Sequence, residues 1–382
     1  MINVLYITFA STNFDGATYS LMDLIRSVRK EVNPIILLRS EGCVCDYFRE
    51  NGIECIIHDF EENLVGIPKK PHQYLRYILE YFPKRKRFYS KNQKCVKFVY
   101  DILKDRHIDI VHTNNTVVPI GNKIAECLGA KHVWHLRGFM DLDFGWMPFT
   151  GWKNMKRDVT KSDAVIGITK AVLYHFVQQG LKNAYSISDA VRSEKDLSYI
   201  KEKERYFLFC AGLLSSKKGC DFAIKAFAKS NLFTQGYRLK IIGSSNPKYN
   251  KYLHDLIHKL SIEDYVDFIG QTNDVKSYME KATAFLMCSE NEGLGRVSIE
   301  AMFYGCLVLG RNSGGTKEFI INNKTGYLFN TIEECSSLMK KISSEDTSII
   351  IKQAQDFARQ NFSIEDYGAK IMHVYQSVLT KK

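Results

Sequence analysis

The sequence predicts an α/β protein built from two Rossmann-like, doubly wound domains that face each other across a cleft. Three observations lead there. The chain has 382 residues, more than one hydrophobic core usually supports. Apolar strand-like runs alternate with amphipathic stretches along nearly all of it, the rhythm of parallel sheets covered by helices on both faces. The rhythm breaks once, at the charged and irregular stretch Asp189–Arg205, and then starts again. The expected boundaries are a first domain over 1–190, a linker over 191–205 and a second domain over 206–360. A terminal helix over 361–382 is expected to pack back on the first domain.

In the first half the strand runs are Val4–Ala10, Pro34–Leu38, Cys55–His58, Ile110–Thr113, His132–His135 and Ala164–Ile168. Between them lie helical patterns at Ser20–Lys30, Cys43–Asn51, Val96–Arg106, Gly121–Leu128 and Ala171–Gln179. The second half repeats the scheme with strands Tyr206–Ala211, Arg238–Gly243, Tyr265–Ile269, Ala284–Cys288, Leu307–Leu309 and Gly326–Leu328. Its helices are Cys220–Lys229, Lys251–Leu260, Asp274–Lys281, Val297–Tyr304 and Thr316–Ile321, and Phe362–Leu379 has a helical period. Sheets of this kind bind ligands at the carboxyl ends of their strands.

Composition narrows the class. The ten cysteines are scattered, with Cys43 and Cys45 the one close pair, and no His/Cys spacing matches a zinc site. A reduced, cytosolic protein is expected. The start Met1-Ile-Asn-Val-Leu-Tyr-Ile reads as a first strand rather than a secretory signal. No apolar run approaches the roughly 18 residues that span a bilayer.

The net charge of +11 calls for an anionic partner. It concentrates between Lys69 and Lys97, where ten Lys/Arg stand against the single acid Glu80, interleaved with Tyr74, Tyr77, Tyr81, Phe82, Phe88 and Tyr89. Leu75, Ile78, Leu79 and Phe82 form an apolar helix stripe, and after Pro83 comes Lys84-Arg85-Lys86-Arg87. Such a stretch suits an anionic membrane surface and also single-stranded nucleic acid. The third reading is a solvated helix whose stripe packs on its own domain.

The most informative run is Glu292-Gly-Leu-Gly-Arg-Val-Ser-Ile-Glu300. It follows the apolar run Ala284–Cys288, so a strand ends in a tight glycine turn that opens a helix. Glycines admit a close ligand, and the free N–H groups of a new helix suit an anion. Glu292 and Glu300 can then meet one ligand at different depths, or simply cap the turn and face solvent. Gly212-Leu-Leu-Ser-Ser-Lys217-Lys218-Gly219 places a lysine on another strand-to-helix loop, where it can neutralise a diphosphate. Gly243, Gly270 and Gly314-Gly315 also follow strands, on the same edge. In the first half, Gly16 lies in the loop after the first strand, and His135 and Arg137 end another. An imidazole there can bond a sugar hydroxyl or a phosphate; a satisfied core histidine is the other reading of His135. Asp141-Leu-Asp143 lies among Phe139, Phe144 and Trp146, outside the strand setting of metal-binding Asp-x-Asp pairs, and is expected to be a loop or acceptor-side element. No metal site is expected.

The run Glu292–Glu300, with Gly212…Lys218-Gly219, Phe268-Ile269-Gly270, Ser313-Gly-Gly-Thr-Lys-Glu318 and Lys324-Thr-Gly326-Tyr-Leu in this order, resembles the GT-B retaining glycosyltransferases of family 4. These are the glycosyl transferases of group 1. The first half matches through Gly16, Asp109-Ile-Val-His112 and His135. The resemblance implies that Glu292 contacts hydroxyls of the donor sugar and Glu300 the ribose of the nucleotide. Lys218, Gly295, Arg296 and Val297 would hold the diphosphate, and Ile269 would meet the base through its main chain. Gly16 and Gly243 would line the donor, and His135 would lie near the reacting carbon. It further implies a metal-independent, configuration-retaining transfer that needs no cofactor and no protein nucleophile. One departure stands out. Relatives carry an arginine after the glycine at 212, and here the residue is Leu213, so Lys217 or Arg296 is left to complete the phosphate grip. Gly16-Ala17 replaces a glycine pair, a milder change.

The expectation is a cytoplasmic enzyme, peripheral on the inner face of the cell membrane. It would move a hexose from a UDP- or GDP-sugar to a glycan acceptor, such as a polyprenyl-diphosphate-linked oligosaccharide, for capsule, O-antigen or lipopolysaccharide. Arg76, Lys84, Arg85, Lys86, Arg87 and Arg137 are the acceptor-side or membrane candidates. The alternatives are a nucleic-acid- or membrane-binding protein built on the basic aromatic stretch, or another GT-B sugar-nucleotide enzyme. No nucleic-acid recognition motif is visible, so no nucleic-acid partner is expected.

Overall fold

The computed structural model describes residues 1–68 and 71–380, with the side chains of 72, 73, 75–78, 80 and 144 excepted. It forms two compact units, Met1–Ala190 with Ile364–Lys382, and Val191–Ser363.

The first unit runs β1 (Ile2–Ile7), α1 (Gly16–Val28), β2 (Val32–Leu38), α2 (Cys43–Glu50), β3 (Glu54–Ile57), β4 (Val65–Gly66), α3 (Pro71–Leu103), β5 (Ile110–Thr113) and α4 (Gly121–Leu128). It continues β6 (Lys131–Leu136), α5 (Asp141–Phe144), β7 (Trp146–Met147), α6 (Trp152–Thr160), β8 (Ala164–Gly167), α7 (Lys170–Phe176) and β9 (Ala184–Ser186). Seven strands pair in parallel in the order β3-β2-β1-β5-β6-β8-β9, and β4 pairs antiparallel with β7. Val4–Ile7 and all of β5 and β8 are buried, as strands covered on both faces must be. Strand order reverses after β1, so right-handed crossovers send the helices to opposite faces. Leu21, Leu24 and Val28 of α1 and Phe48 of α2 pack on one face together with Ile371, Val374 and Val378 of the last helix. Cys95, Val99 and Leu103 of α3 and Ile124 of α4 pack on the other.

The second unit runs β10 (Glu204–Leu213), α8 (Cys220–Ser230), β11 (Arg238–Ser244), α9 (Pro247–Lys259), β12 (Val266–Gly270), α10 (Val275–Lys281), β13 (Ala282–Met287) and α11 (Arg296–Phe303). It closes with β14 (Val308–Arg311), α12 (Thr316–Phe319), β15 (Tyr327–Phe329), α13 (Ile332–Ile342) and α14 (Ser348–Phe362). Its six strands are parallel in the order β12-β11-β10-β13-β14-β15, again with a reversal, at β10. The final helix α15 (Ile364–Thr380) returns to the first unit, where Tyr367, Ile371 and Tyr375 are buried.

The structure departs from expectation in four places. The helical stripe that reaches Phe82 and the helix expected at Val96–Arg106 are one element: α3 runs through Pro83 from Pro71 to Leu103. Proline removes one backbone bond, and that loss is tolerable where Leu79 and Phe82 are 69% and 74% exposed and water reaches the backbone. Asp141–Phe144 is one helical turn rather than a loop. Residues 191–205 are not a loose linker. Val191 N bonds Phe362 O, Ser198 N bonds Phe303 O, and Lys203 Nζ bonds the carbonyls of Glu280 and Gly305. The segment is thereby laid onto the second unit. Finally, α6, β9, α13 and α14 were not anticipated, although Thr331 capping Glu334 N at 3.2 Å is a Thr-x-x-Glu start signal for α13.

Candidate functional site

In the second unit the loop after β10 and the loop after β13 meet. Gly219 has φ +77°, and a Cβ on it would stand 2.3 Å from the Cys288 carbonyl oxygen, so only glycine lets the two loops touch. Lys218, just before it, then reaches Glu292 across 74 residues of sequence, Nζ to Oε2 at 2.8 Å. The backbone of Glu292 is held independently: its carbonyl accepts from Gly315 N at 2.7 Å. Gly314 (φ +53°) comes so near that a Cβ would lie 2.6 Å from that oxygen. The glycine pair predicted as a ligand loop therefore braces the Glu292 loop. Gly295 (φ +77°) precedes α11 and offers no side chain to cap it. Arg296 and Val297, the first two helical residues, are half-buried.

Glu300 lies about one turn into α11, and Arg192 Nη2 meets its Oε1 at 3.2 Å. Arg192 Nε also donates to Tyr304 Oη at 2.6 Å. Burial opposes the arginine's charge, but Glu300 and Tyr304 outweigh it and raise its pKa. Arg192 was read as part of the linker; nothing in its local sequence marked it, because its partner is 108 positions away. At the neighbouring strand ends Gly243 (φ +137°) packs against the Ala211 carbonyl, with a would-be Cβ at 2.0 Å. Ile269 is half-buried in β12. Leu213 stands 61% exposed after an irregularity in β10.

In the first unit, Gly16 opens α1 behind Asp15, whose carboxylate takes Thr18 N at 2.8 Å, and a Cβ on Gly16 would meet nothing within 4 Å. His135, at the end of β6, is fully buried rather than displayed at a strand end. Tyr375 Oη donates to Tyr6 Oη at 3.1 Å and lies 2.8 Å from His112 Nδ1, and His112 Nε2 lies 3.3 Å from His135 Nδ1. With the Tyr375 proton given to Tyr6, His112 donates from Nδ1 and accepts His135 Nδ1–H at Nε2. His135 Nε2 is left as a lone pair with no hydrogen-bond partner among the described residues, 3.9 Å from Asp189 Oδ1. Burial, then the Arg137 charge, holds both histidines well below the ordinary imidazole range.

Arg137 is corrected as a membrane candidate. Its side chain is 6% exposed, pairs with Asp189 and donates to Asn114 Oδ1, so it cannot reach a headgroup. Asp189 also accepts from Ser20 Oγ at 2.8 Å and Tyr367 Oη at 3.2 Å, closing a polar core that sequence reading did not find. Glu62, in the loop after β3, is another such group: burial, assisted by Asp15 and Glu61, pushes it up to about 7 against the pull of Arg39. Asp141 and Asp143 are both used within the fold, by His175 Nε2 at 2.9 Å and Phe139 N at 2.8 Å. Lys84, Arg85, Lys86 and Arg87 are exposed on α3, with Arg87 at 3.0 Å from Glu61. Lys69 and Lys70, and the side chains of Leu75, Arg76, Tyr77, Ile78, Glu80 and Phe144, lie outside the described residues. No helix among the described residues is long and apolar enough to cross a membrane.

Residues 191–361 match the family described as glycosyl transferases group 1. An uncharacterized glycosyltransferase of Haemophilus influenzae is 30% identical over 228 residues, covering 58% of this chain and 62% of the relative. A Campylobacter jejuni N-acetyl-D-galactosaminyltransferase, named for an undecaprenol-diphosphate-linked glycan, is 30% identical over 47% of this chain and 48% of its own. The match thus spans less than two thirds of either relative. Among solved structures, Anabaena HepE in complex with UDP and glucose superposes with a TM-score of 0.77 at 18% identity, covering 99% of this chain and 100% of that one. The lipopolysaccharide outer core galactosyltransferase WaaB gives 0.72 at 16%, covering 98% and 99%. At these identities the likeness speaks for the fold, the two-unit GT-B architecture.

Proposed function

We propose that this chain, a member of the glycosyl transferases group 1 family with the GT-B fold, transfers a hexose from a UDP- or GDP-sugar to a lipid-linked glycan acceptor with retention of configuration. The single observation that carries the reading is the Lys218–Glu292 pair at 2.8 Å, which joins the two donor-site residues singled out in the sequence. Lys218 supplies a cation for the diphosphate, and the uncapped start of α11 adds N–H groups for the same anion. Glu292 supplies an acceptor for sugar hydroxyls once the lysine turns to phosphate. Glu300, oriented by Arg192, supplies the carboxylate for the ribose. The acceptor hydroxyl oxygen attacks the anomeric carbon as the bond from that carbon to the diphosphate breaks, and the departing phosphate oxygen takes the proton on the same face. No protein nucleophile or resident metal enters this scheme. His135, neutral and with Nε2 as a bare acceptor, suits a substrate hydroxyl rather than a phosphate oxygen.

Exposed Leu79 and Phe82 beside Lys84–Arg87 support peripheral attachment to an anionic membrane on the cytoplasmic side, and with it a role in surface polysaccharide or lipopolysaccharide synthesis. The test begins with thermal shift against UDP-, GDP- and ADP-sugars, of which one UDP- or GDP-sugar should raise the melting temperature. Glu292→Ala and Glu300→Ala should each cut transfer by a hundredfold or more while circular dichroism stays unchanged. Full activity in both variants sinks the assignment.

A further inference from the structure

A groove of about 660 Å³ lies within the first unit, between α3, α4 and α6. It has the size of a ligand cleft, which runs from ~300 to 1,000 Å³. One end is formed by Asn63 and Pro119, in the loops that leave the carboxyl ends of β3 and β5, and by Thr150, between β7 and the start of α6. Thr150 and Asn63 exchange two hydrogen bonds there, Thr150 N to Asn63 Oδ1 at 3.0 Å and Asn63 Nδ2 to Thr150 Oγ1 at 2.9 Å, so this end is built. The other end is formed by Tyr100, Cys127 and Arg157, near the last turns of α3, α4 and α6. In a parallel sheet those turns sit at the opposite edge, so the groove runs from the edge that carries His135 and Gly16 to the far one.

Its walls are the rings of Phe88, Tyr89 and Tyr100 with Val96 and Ile120, and cations stand along them. Lys123 and Arg157 are balanced by Glu126 at 2.8 Å and Asp158 at 3.3 Å. Lys97 has no acidic partner among the described residues. The helix that forms one wall carries eight Lys/Arg against two acids. An apolar trough with excess positive charge complements a chain that is apolar along its length and anionic at one end.

We propose that this groove seats the hydrocarbon chain of a phosphate-bearing prenyl lipid. Its phosphate lies toward the Asn63–Thr150 end, and its tail runs between α3 and α4 toward Tyr100 and Cys127. The proposal rests on the reading that the acceptor is lipid-linked and deepens it by assigning the tail a place on this chain.

Cys127 provides the measurement, because it lines the groove and is exposed, while exposed Cys43 lies on α2, on the other face of the sheet. Full-length protein is treated with a maleimide, and labelling at each cysteine is read by peptide mass spectrometry. Farnesyl phosphate should slow labelling of Cys127 at least tenfold and leave Cys43 unchanged; farnesol should protect at least tenfold less well, and inorganic phosphate not at all. Val96→Trp, which fills the trough, and exposed Lys97→Glu should each weaken protection tenfold with unchanged thermal shift by the nucleotide sugar. The proposal is overturned if farnesyl phosphate leaves Cys127 labelling unchanged, or if farnesol or inorganic phosphate protects equally. It is also overturned if Cys43 is protected alike, or if only vesicles of anionic phospholipid protect, since the groove would then be a membrane contact. Should only Val96→Trp misfold, Lys97→Glu decides alone. Donor-induced thermal shift without Cys127 protection would overturn the groove and spare the transferase reading; protection without donor binding would do the reverse.

Discussion

Lowering the pH from 7.5 to 5.5 should destabilise the first unit through its buried histidines. Burial, with Arg137 second, holds His112 and His135 well below the ordinary 6.5, and burial pushes His132 down to about 3. As pH falls through 6.5 the unfolded chain takes up three protons that the folded unit refuses, so stability present above 6.5 is lost on acidification. At pH 5.5 the three histidines together contribute a loss on the order of 4 kcal/mol. Glu62 acts in the opposite sense. Its folded value near 7 exceeds the ordinary 4.5, so the folded unit takes that proton first and regains stability as pH falls below 7. Glu62 is partly exposed, and after discounting for screening it returns about 1 kcal/mol. The net loss is about 3 kcal/mol, a large part of the 5–15 kcal/mol typical of a domain. All three tryptophans, Trp134, Trp146 and Trp152, belong to the first unit, so urea unfolding followed by tryptophan fluorescence reports on it alone. Glu62→Gln should steepen the pH dependence toward about 4 kcal/mol by removing the opposing titration. Equal stability at the two pH values, or a shallower dependence in Glu62→Gln, would refute the reasoning.

Three other outcomes are expected. Lys218→Ala should weaken nucleotide-sugar binding about 10- to 100-fold, the equivalent of a charge-assisted hydrogen bond of about 1.5–3 kcal/mol, as read by titration calorimetry; unchanged affinity would remove the lysine from the diphosphate. Tyr375→Phe should destabilise the fold by about 1–3 kcal/mol by orphaning His112 Nδ1 and Tyr6 Oη. It should also move the ¹⁵N signals of His135 toward a tautomer mixture, and unmoved signals would dissolve the relay. Reversing Lys84, Arg85 and Lys86 should reduce binding to anionic liposomes by roughly 1 kcal/mol per charge and leave donor binding intact; unaltered sedimentation with liposomes would count against membrane attachment.

Much of the fold was legible because local chemistry and tertiary structure agree. Ile110–Thr113 and Gly121–Leu128 appear within the limits read from the sequence, since a short β-branched run between turn signals has few alternatives. The stripe before Pro83 and the helix at Val96–Arg106 stood apart in the sequence, whereas one helix joins them, because exposure of the turn around the proline is decided by the whole unit. Asp189–Arg205 looked like a linker because charge was taken for solvation, whereas Arg192 is paired with Glu300. His112 was seen in its strand, but no pattern announces that it sits between Tyr375 and His135.

By itself the sequence determined the two α/β halves, the strand-end glycines and the candidates Lys218, Glu292, Glu300 and His135, because periodicity and turn chemistry act over a few residues. Tertiary structure alone decided which of them meet. It set Lys218 against Glu292, turned Gly314 and Gly315 into a brace, and sank His135 and Arg137 into a shared polar core with a helix from the far end of the chain. The physical reason is that a hydrogen bond or ion pair has a range of about 3 Å in space and none along the sequence.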